Sequence, residues 1–162
     1  MIEIGQVFAV FNIGLSTLAL SSPIIDSSFA LKCNGTAEIH NVGRSSETKT
    51  SETLSDQIFV VDQFQKIIFR ALEPRQQFDP VCMTEDGQGN ADISPGMIRT
   101  SSLEYSESGM TTECETSFNR KDGSGMHLLK FTYDDGTMIS NEWQLICEPT
   151  SIPNFETVRN KF

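Results

Sequence analysis

Only two histidines occur in the chain, His40 and His127, and that scarcity limits its acid–base chemistry. A nucleophilic hydrolase needs a nucleophile, a base and an acid that orients the base. The nearest nucleophile candidate, Ser124, lies in Gly123-Ser124-Gly125. That tripeptide lacks the G-x-S-x-G spacing of a nucleophile elbow and reads as a hairpin tip. His127 follows the same tip and reads as an exposed strand-end histidine. Glycosidase chemistry would need two converging carboxylates. Asp134 and Asp135 are adjacent at a second tip, where neighbouring side chains point apart into water, and Glu73, Asp92 and Glu142 stand alone. No catalytic residue is assigned on these grounds.

Metal chemistry has one candidate. Asp86, Asn90 and Asp92 place three oxygen-bearing side chains in a glycine-rich loop, a composition that suits calcium. The spacing departs from an EF-hand. It approaches the G-x-G-N-D repeat of calcium β-rolls, with Ala91 inserted and a single copy, so the stacked neighbour that completes such a cage is missing. The bland reading is a flexible loop. Neither a zinc ligand spacing, a P-loop nor a dinucleotide fingerprint is present, and no cofactor is expected. Asn34-Gly35-Thr36 is a glycosylation sequon, relevant only in a eukaryotic secretory pathway.

The four cysteines, Cys33, Cys82, Cys114 and Cys147, are even in number and widely spaced. No pair forms a C-x-x-C redox motif, so the pattern reads as two disulfides made in an oxidising compartment. The N-terminus agrees. Between Glu3 and Asp26 there is no charge, and residues 7–20 are mostly apolar, the length of a secretory h-region. Small-x-small cleavage patterns occur at Ala19-Leu20-Ser21 and Ser28-Phe29-Ala30. The n-region carries Glu3 and no basic residue, which departs from the usual leader. Asn12, Gly14, Ser16 and Thr17 make the segment a poor membrane span, and Lys32 before Cys33 excludes a lipoprotein cleavage box. The expected organisation is a leader over 1–30, a β-domain over 31–149 and an extended tail over 150–162, in a periplasmic or secreted protein without stable membrane insertion once the leader is gone.

The chain has 162 residues, one domain's worth, with eleven Phe to build a core. Its net charge is −10, and losing residues 1–30 leaves twelve basic against twenty acidic side chains, −8. Such a surface repels phosphate backbones, so nucleic-acid binding is not expected.

The elements that must position these residues are strands. Alternation runs from Phe29 to about His40, and Gln57–Asp62 and Lys66–Ala71 flank a polar turn as a hairpin. Residues 78–83 and 97–105 are weaker strands, and the stretch 44–55 reads as a solvated loop or frayed strand ends. Residues 110–120, 126–133 and 137–147 are separated by Lys-Asp-Gly-Ser-Gly and Asp-Asp-Gly, which supply the positive φ of tight hairpins. Ile139, Trp143, Leu145 and Cys147 share one face of the last strand and Ser140, Glu142 and Gln144 the other. Helical periodicity is absent beyond the leader. The fold expected is all-β: a single small antiparallel meander, closed as a barrel of lipocalin-like shape or strongly curved, with a two-sheet sandwich as the alternative.

Hairpin register restricts the disulfides. A turn at Gly123 sets Cys114 opposite about Thr132, and a turn at Asp135 sets Thr132 opposite about Ile139. Cys147 is then about eight residues further on, more than ~20 Å away at ~3.3 Å per residue, too far for a bridge. First and last strands meet when a barrel closes, which favours Cys33–Cys147 and leaves Cys82–Cys114.

The order of Cys33-Asn-Gly-Thr36 after a leader, Ile58-Phe-Val-Val-Asp62 in a hairpin, Phe118-Asn-Arg120 before a glycine turn and a closing Trp143…Cys147 strand resembles that of small exported β-proteins of bacteria. The resemblance covers about residues 29–149 and implies no activity. Together these features lead us to expect a non-enzymatic exported domain that binds a small apolar ligand or an envelope protein partner. The alternatives are a carboxylate-dependent periplasmic hydrolase and a structural or inhibitory envelope protein.

Overall fold

A computed structural model describes residues 28–72, 75–83, 90–106 and 109–154. Its strands are β1 (Ser28–Val42), β2 (Glu47–Asp62), β3 (Ile67–Leu72), β4 (Gln77–Pro80), β5 (Asp92–Ile93), β6 (Met97–Tyr105), β7 (Met110–Asn119), β8 (Ser124–Tyr133) and β9 (Met138–Thr150). All nine lie in one antiparallel sheet of order β4-β3-β2-β1-β9-β8-β7-β6-β5, strongly curled into a half-barrel. The all-β reading holds, and the structure is a curved single sheet rather than a sandwich.

Two meanders, β1–β4 and β5–β9, are joined where β1 pairs with β9. Cys33 lies directly opposite Cys147 in that pairing, and their disulfide spans a Cα separation of 4.0 Å. First and last strands do meet, but in the middle of the sheet. The edges are β4 and β5, and different contacts draw them together. The Cys82–Cys114 disulfide ties the end of β4 to β7, and the Ala91 amide donates to the Lys66 carbonyl at 2.9 Å. The expected pairing is therefore present, with the closing role carried by Cys82–Cys114.

Local chemistry explains the hairpins. Between β2 and β3, Asp62 Oδ1 accepts hydrogen bonds from the Phe64 and Gln65 amides, and Lys66 ends the turn at φ 54°. Between β8 and β9, the Gly136 amide bonds the Tyr133 carbonyl and Gly136 takes φ 82°. Gly123 likewise sits at φ 74°, closing the β7–β8 turn onto the Asn119 carbonyl. It lies at the end of that turn, not at its centre. Cys114 therefore faces Leu129 rather than Thr132; across the next hairpin Thr132 faces Met138, one residue from the expected Ile139.

Three boundaries differ from the expected ones. Residues 47–54, within the stretch 44–55 read as loop or frayed strand ends, are regular β2 strand paired with residues 35–42. Apart from Leu54, which is buried, the side chains of this stretch are polar, and Thr48, Thr50 and Thr53 still favour extended backbone. β4 stops at Pro80, which cannot donate to a ladder. Finally, β1 takes in Ser28–Ala30, and β9 runs through Thr150. Ala30 is 1% exposed and faces Val60 and Thr150.

Candidate functional site

Residues directly opposite one another across a sheet share a face, so register sorts the concave face into rows. The lowest complete row runs Leu54, Gly35, Leu145, Gly125, Phe118, Ile98. Two glycines matter here. A side chain at Gly35 would collide with the Gln144 carbonyl, and one at Gly125 would sit 2.8 Å from the Phe118 ring. The strands therefore approach closely under a solid cluster in which Phe59 and Phe118 lie 5.0 Å apart. Phe59, Phe118, Ile68 and Ile98 are each under 2% exposed, so side chains fill the closed half.

The next row is Ala37, Trp143, His127, Thr116, Thr100. His127 is 9% exposed, not the exposed strand-end residue its position suggested. Its alternation with Gly125 and Leu129 was the available signal, and its pairing with Trp143 depends on the β8–β9 register. The imidazole packs edge-on to the Trp143 ring at 5.0 Å, and Nδ1 shares a 2.8 Å hydrogen bond with Thr116 Oγ1. From across the half-barrel, the Arg70 guanidinium lies 4.6 Å from the centre of the Trp143 ring. Its Nε is buried without a hydrogen-bond partner among the described residues. Burial lowers the Arg70 pKa, while nearby Asp79 acts to raise it. Burial, and then the Arg70 charge, hold the His127 pKa down at about 4. His127 is thus neutral at ordinary pH.

Ligand atoms of His127, Cys82 and Cys114 come within 4.8 Å of one another, the spacing of a metal cluster. Both sulfurs are bonded to each other, however, and a disulfide sulfur is not a thiolate ligand. In this state the cluster is a packed wall.

Above it the concave face opens. The following row is Ile39, Asn141, Leu129, Cys114 and Ser102, and the one above is Asn41, Ile139, Phe131, Thr112 and Glu104. Apart from Cys114, no residue in these two rows is fully buried. Ile139 is 39% exposed, and Tyr133, at the upper end of β8, is 38% exposed. Leu129 still packs against the core, and above it an apolar strip of Ile39, Phe131 and Ile139 has no cover from β3 or β4 among the described residues, since their pairing stops far below it.

The residues singled out for chemistry are scattered. Asp86 and Glu73 lie outside the described residues. Asn90 and Asp92 border an open groove of about 470 Å³ with Gln63, Lys66, Ala91 and Ile93. The Asn90 side chain is bonded to Thr100 Oγ1 and to the Ser101 carbonyl, which orients it toward β6. Asp92 is exposed opposite Arg99. Asp135 caps its own turn through the Thr137 amide and pairs with Arg44 at 3.1 Å, and these partners lower its pKa, the Thr137 bonds first. Ser124 donates to Asp122 Oδ1 at 2.7 Å, which holds the hairpin tip. His40 lies 2.7 Å from Glu47 on the convex side. Among the described residues, these groups are spent on turns and ion pairs.

No family model, curated protein or solved structure matches this chain. The geometry therefore carries the functional reading by itself. No described helix is long and apolar enough to cross a membrane, and the two disulfides are the bonding expected in an oxidising compartment.

Proposed function

We propose that this chain is an exported, disulfide-clamped binding module that seats a partner protein on the open half of its concave face. The observation that carries this reading is the half-exposed Ile139 standing above a sealed core, on the same face. An internal small-ligand site is disfavoured, because aromatic and aliphatic side chains fill the closed half. Partner recognition at an apolar strip rimmed by polar groups needs no such cavity. Thr48, Thr50, Asn41, Asn141 and Glu104 supply the rim.

Export is part of the proposal. Of the two cleavage patterns, the one at Ala19-Leu20-Ser21 spares β1, whereas cutting after Ala30 would remove Phe29, which packs on the core, and Ala30 itself. The secreted chain should begin upstream of Ser28, and intact mass with and without reductant reads both this start and the two bridges.

The decisive experiment places a photo-crosslinking side chain at Ile139 and, separately, at Gln144 on the convex face. Exposed to its native envelope, the protein should form one discrete protein adduct from position 139, lost in a Phe131→Ser background, and none from position 144. Equal adducts from both faces, or none at all, would reject the concave face as the recognition surface.

A further inference from the structure

The wall between the two halves of the concave face carries chemistry that partner binding does not use. Cys82, Cys114 and His127 each offer a ligand atom there, and the three atoms lie within 4.8 Å of one another. They come from separate segments: the chain just beyond β4, the middle of β7 and the first half of β8. The Thr116 hydroxyl oxygen lies 2.8 Å from His127 Nδ1 and 3.5 Å from Cys82 Sγ. All four residues are buried. While the Cys82–Cys114 bridge is closed, its sulfurs are spent on each other. Opening it leaves two thiols and an imidazole already gathered by the fold. The other bridge differs. Cys33 and Cys147 are directly opposed on β1 and β9, and no such third donor joins them among the described residues.

We propose that Cys82 and Cys114, once reduced, form with His127 a three-coordinate site for the soft monovalent cation Cu(I). The donors select the metal. Thiolate sulfur favours soft ions over magnesium or calcium. Zinc in proteins takes four ligands, the fourth a side chain or a water. Among the described residues no carboxylate, further thiol or second imidazole joins the three, and their burial keeps water away. Cu(I), a closed-shell ion satisfied by two or three soft donors, fits the set as it stands. Thr116 then acts as the outer hydrogen-bond partner that orients a ligating imidazole. The way in is the open half, since Cys114 shares a row with Leu129 and Ser102, where the concave face begins to open.

Loading takes two balanced steps. A dithiol donor supplies two electrons and two protons, the Cys82–Cys114 S–S bond breaks, and the donor becomes a disulfide. Cu(I) then forms two Cu–S bonds with its oxidation state unchanged, and the two thiol protons pass to water. The metal restores the tie between the end of β4 and β7 that reduction removed, so binding and folding are coupled.

The test reduces the secreted chain anaerobically with a phosphine, removes the phosphine, and titrates in Cu(I) held by a coloured chelator. One Cu(I) per reduced chain, none per oxidised chain, and X-ray absorption showing two sulfurs and one nitrogen at copper support the proposal. His127→Gln keeps both thiols and should lower the affinity at least about tenfold, and Thr116→Val should lower it about tenfold by freeing the ring. Cu(I) should also raise the melting temperature of the reduced chain, a readout that holds where reduction weakens the fold. Copper held equally well by a Cys82→Ser chain, or by sulfur alone, places it on Cys33 and Cys147 and overturns the proposal. So does Zn(II) held in preference to Cu(I), or a melting temperature that Cu(I) leaves unchanged. Crosslinking at Ile139 reads a separate surface, so either result stands without the other.

Discussion

The lower and upper halves of the half-barrel are built from the same strands and hold different environments. Below, β3, β4 and the Cys82–Cys114 bridge fold over β1, β9, β8 and β7, and Leu145, Phe118 and Ile98 are each at most 3% exposed. Above, the same strands continue with no opposing layer among the described residues, and Phe131 and Ile139 keep contact with water. Burial here is set by what lies across the barrel, not by residue type. Ile98 is 0% exposed and Ile139 is 39% exposed on one face of one sheet.

Truncation should separate the halves most sharply. Phe59→Ala removes a fully buried ring that touches Phe118 and Trp143, and the loss should be about 3–5 kcal/mol. Ile139→Ala should change stability by less than about 1 kcal/mol, because its side chain is already partly wet. Urea denaturation of the two variants measures the contrast, and similar losses would mean that the upper half is as closed as the lower.

Next in size is the clamp. Replacing Cys82 and Cys114 together by Ala removes a cross-link between residues 32 apart, which should cost about 3–4 kcal/mol by loop-closure entropy. It should also speed amide exchange in β4 more than in β9. Uniform acceleration across the sheet would deny the bridge its role as the closure of the lower half.

The smallest effect is a pH dependence at the boundary between halves. His127 has a folded pKa of about 4 against an ordinary value of 6.5. Between those values the unfolded chain binds more protons than the folded one. The stabilising contribution is therefore complete above pH ~6.5 and is lost as pH falls toward 4, up to about 3 kcal/mol in total. His127→Gln should flatten that part of the stability curve while the rest of the acid limb persists. An unchanged slope would show that the imidazole is reached by water from the open half.

Much of this was legible along the chain. Alternation at Trp143, Leu145 and Cys147 marks one buried face, and Gly123 and Gly136 supply left-handed backbone that a β-carbon opposes, so strand class and hairpin sites follow from local sterics. The β2 ladder over 47–54 was not legible, because Leu54 is its only apolar residue and no alternating apolar face reveals it. The candidate surface was hidden for a related reason. Ile139 is as apolar as Ile98, and only the short reach of β3 and β4 leaves it uncovered.

The sequence by itself determined the all-β class, the turn positions and an even cysteine set suited to two bridges, since each depends on side-chain chemistry within a few residues of the backbone it constrains. The tertiary structure alone decided that β1 and β9 meet in the middle of the sheet, that Cys82–Cys114 is the closure, and that His127 is buried beside Trp143 and Arg70. Those outcomes depend on curvature and on where opposing strands end, and such distances between remote segments are written in no local pattern.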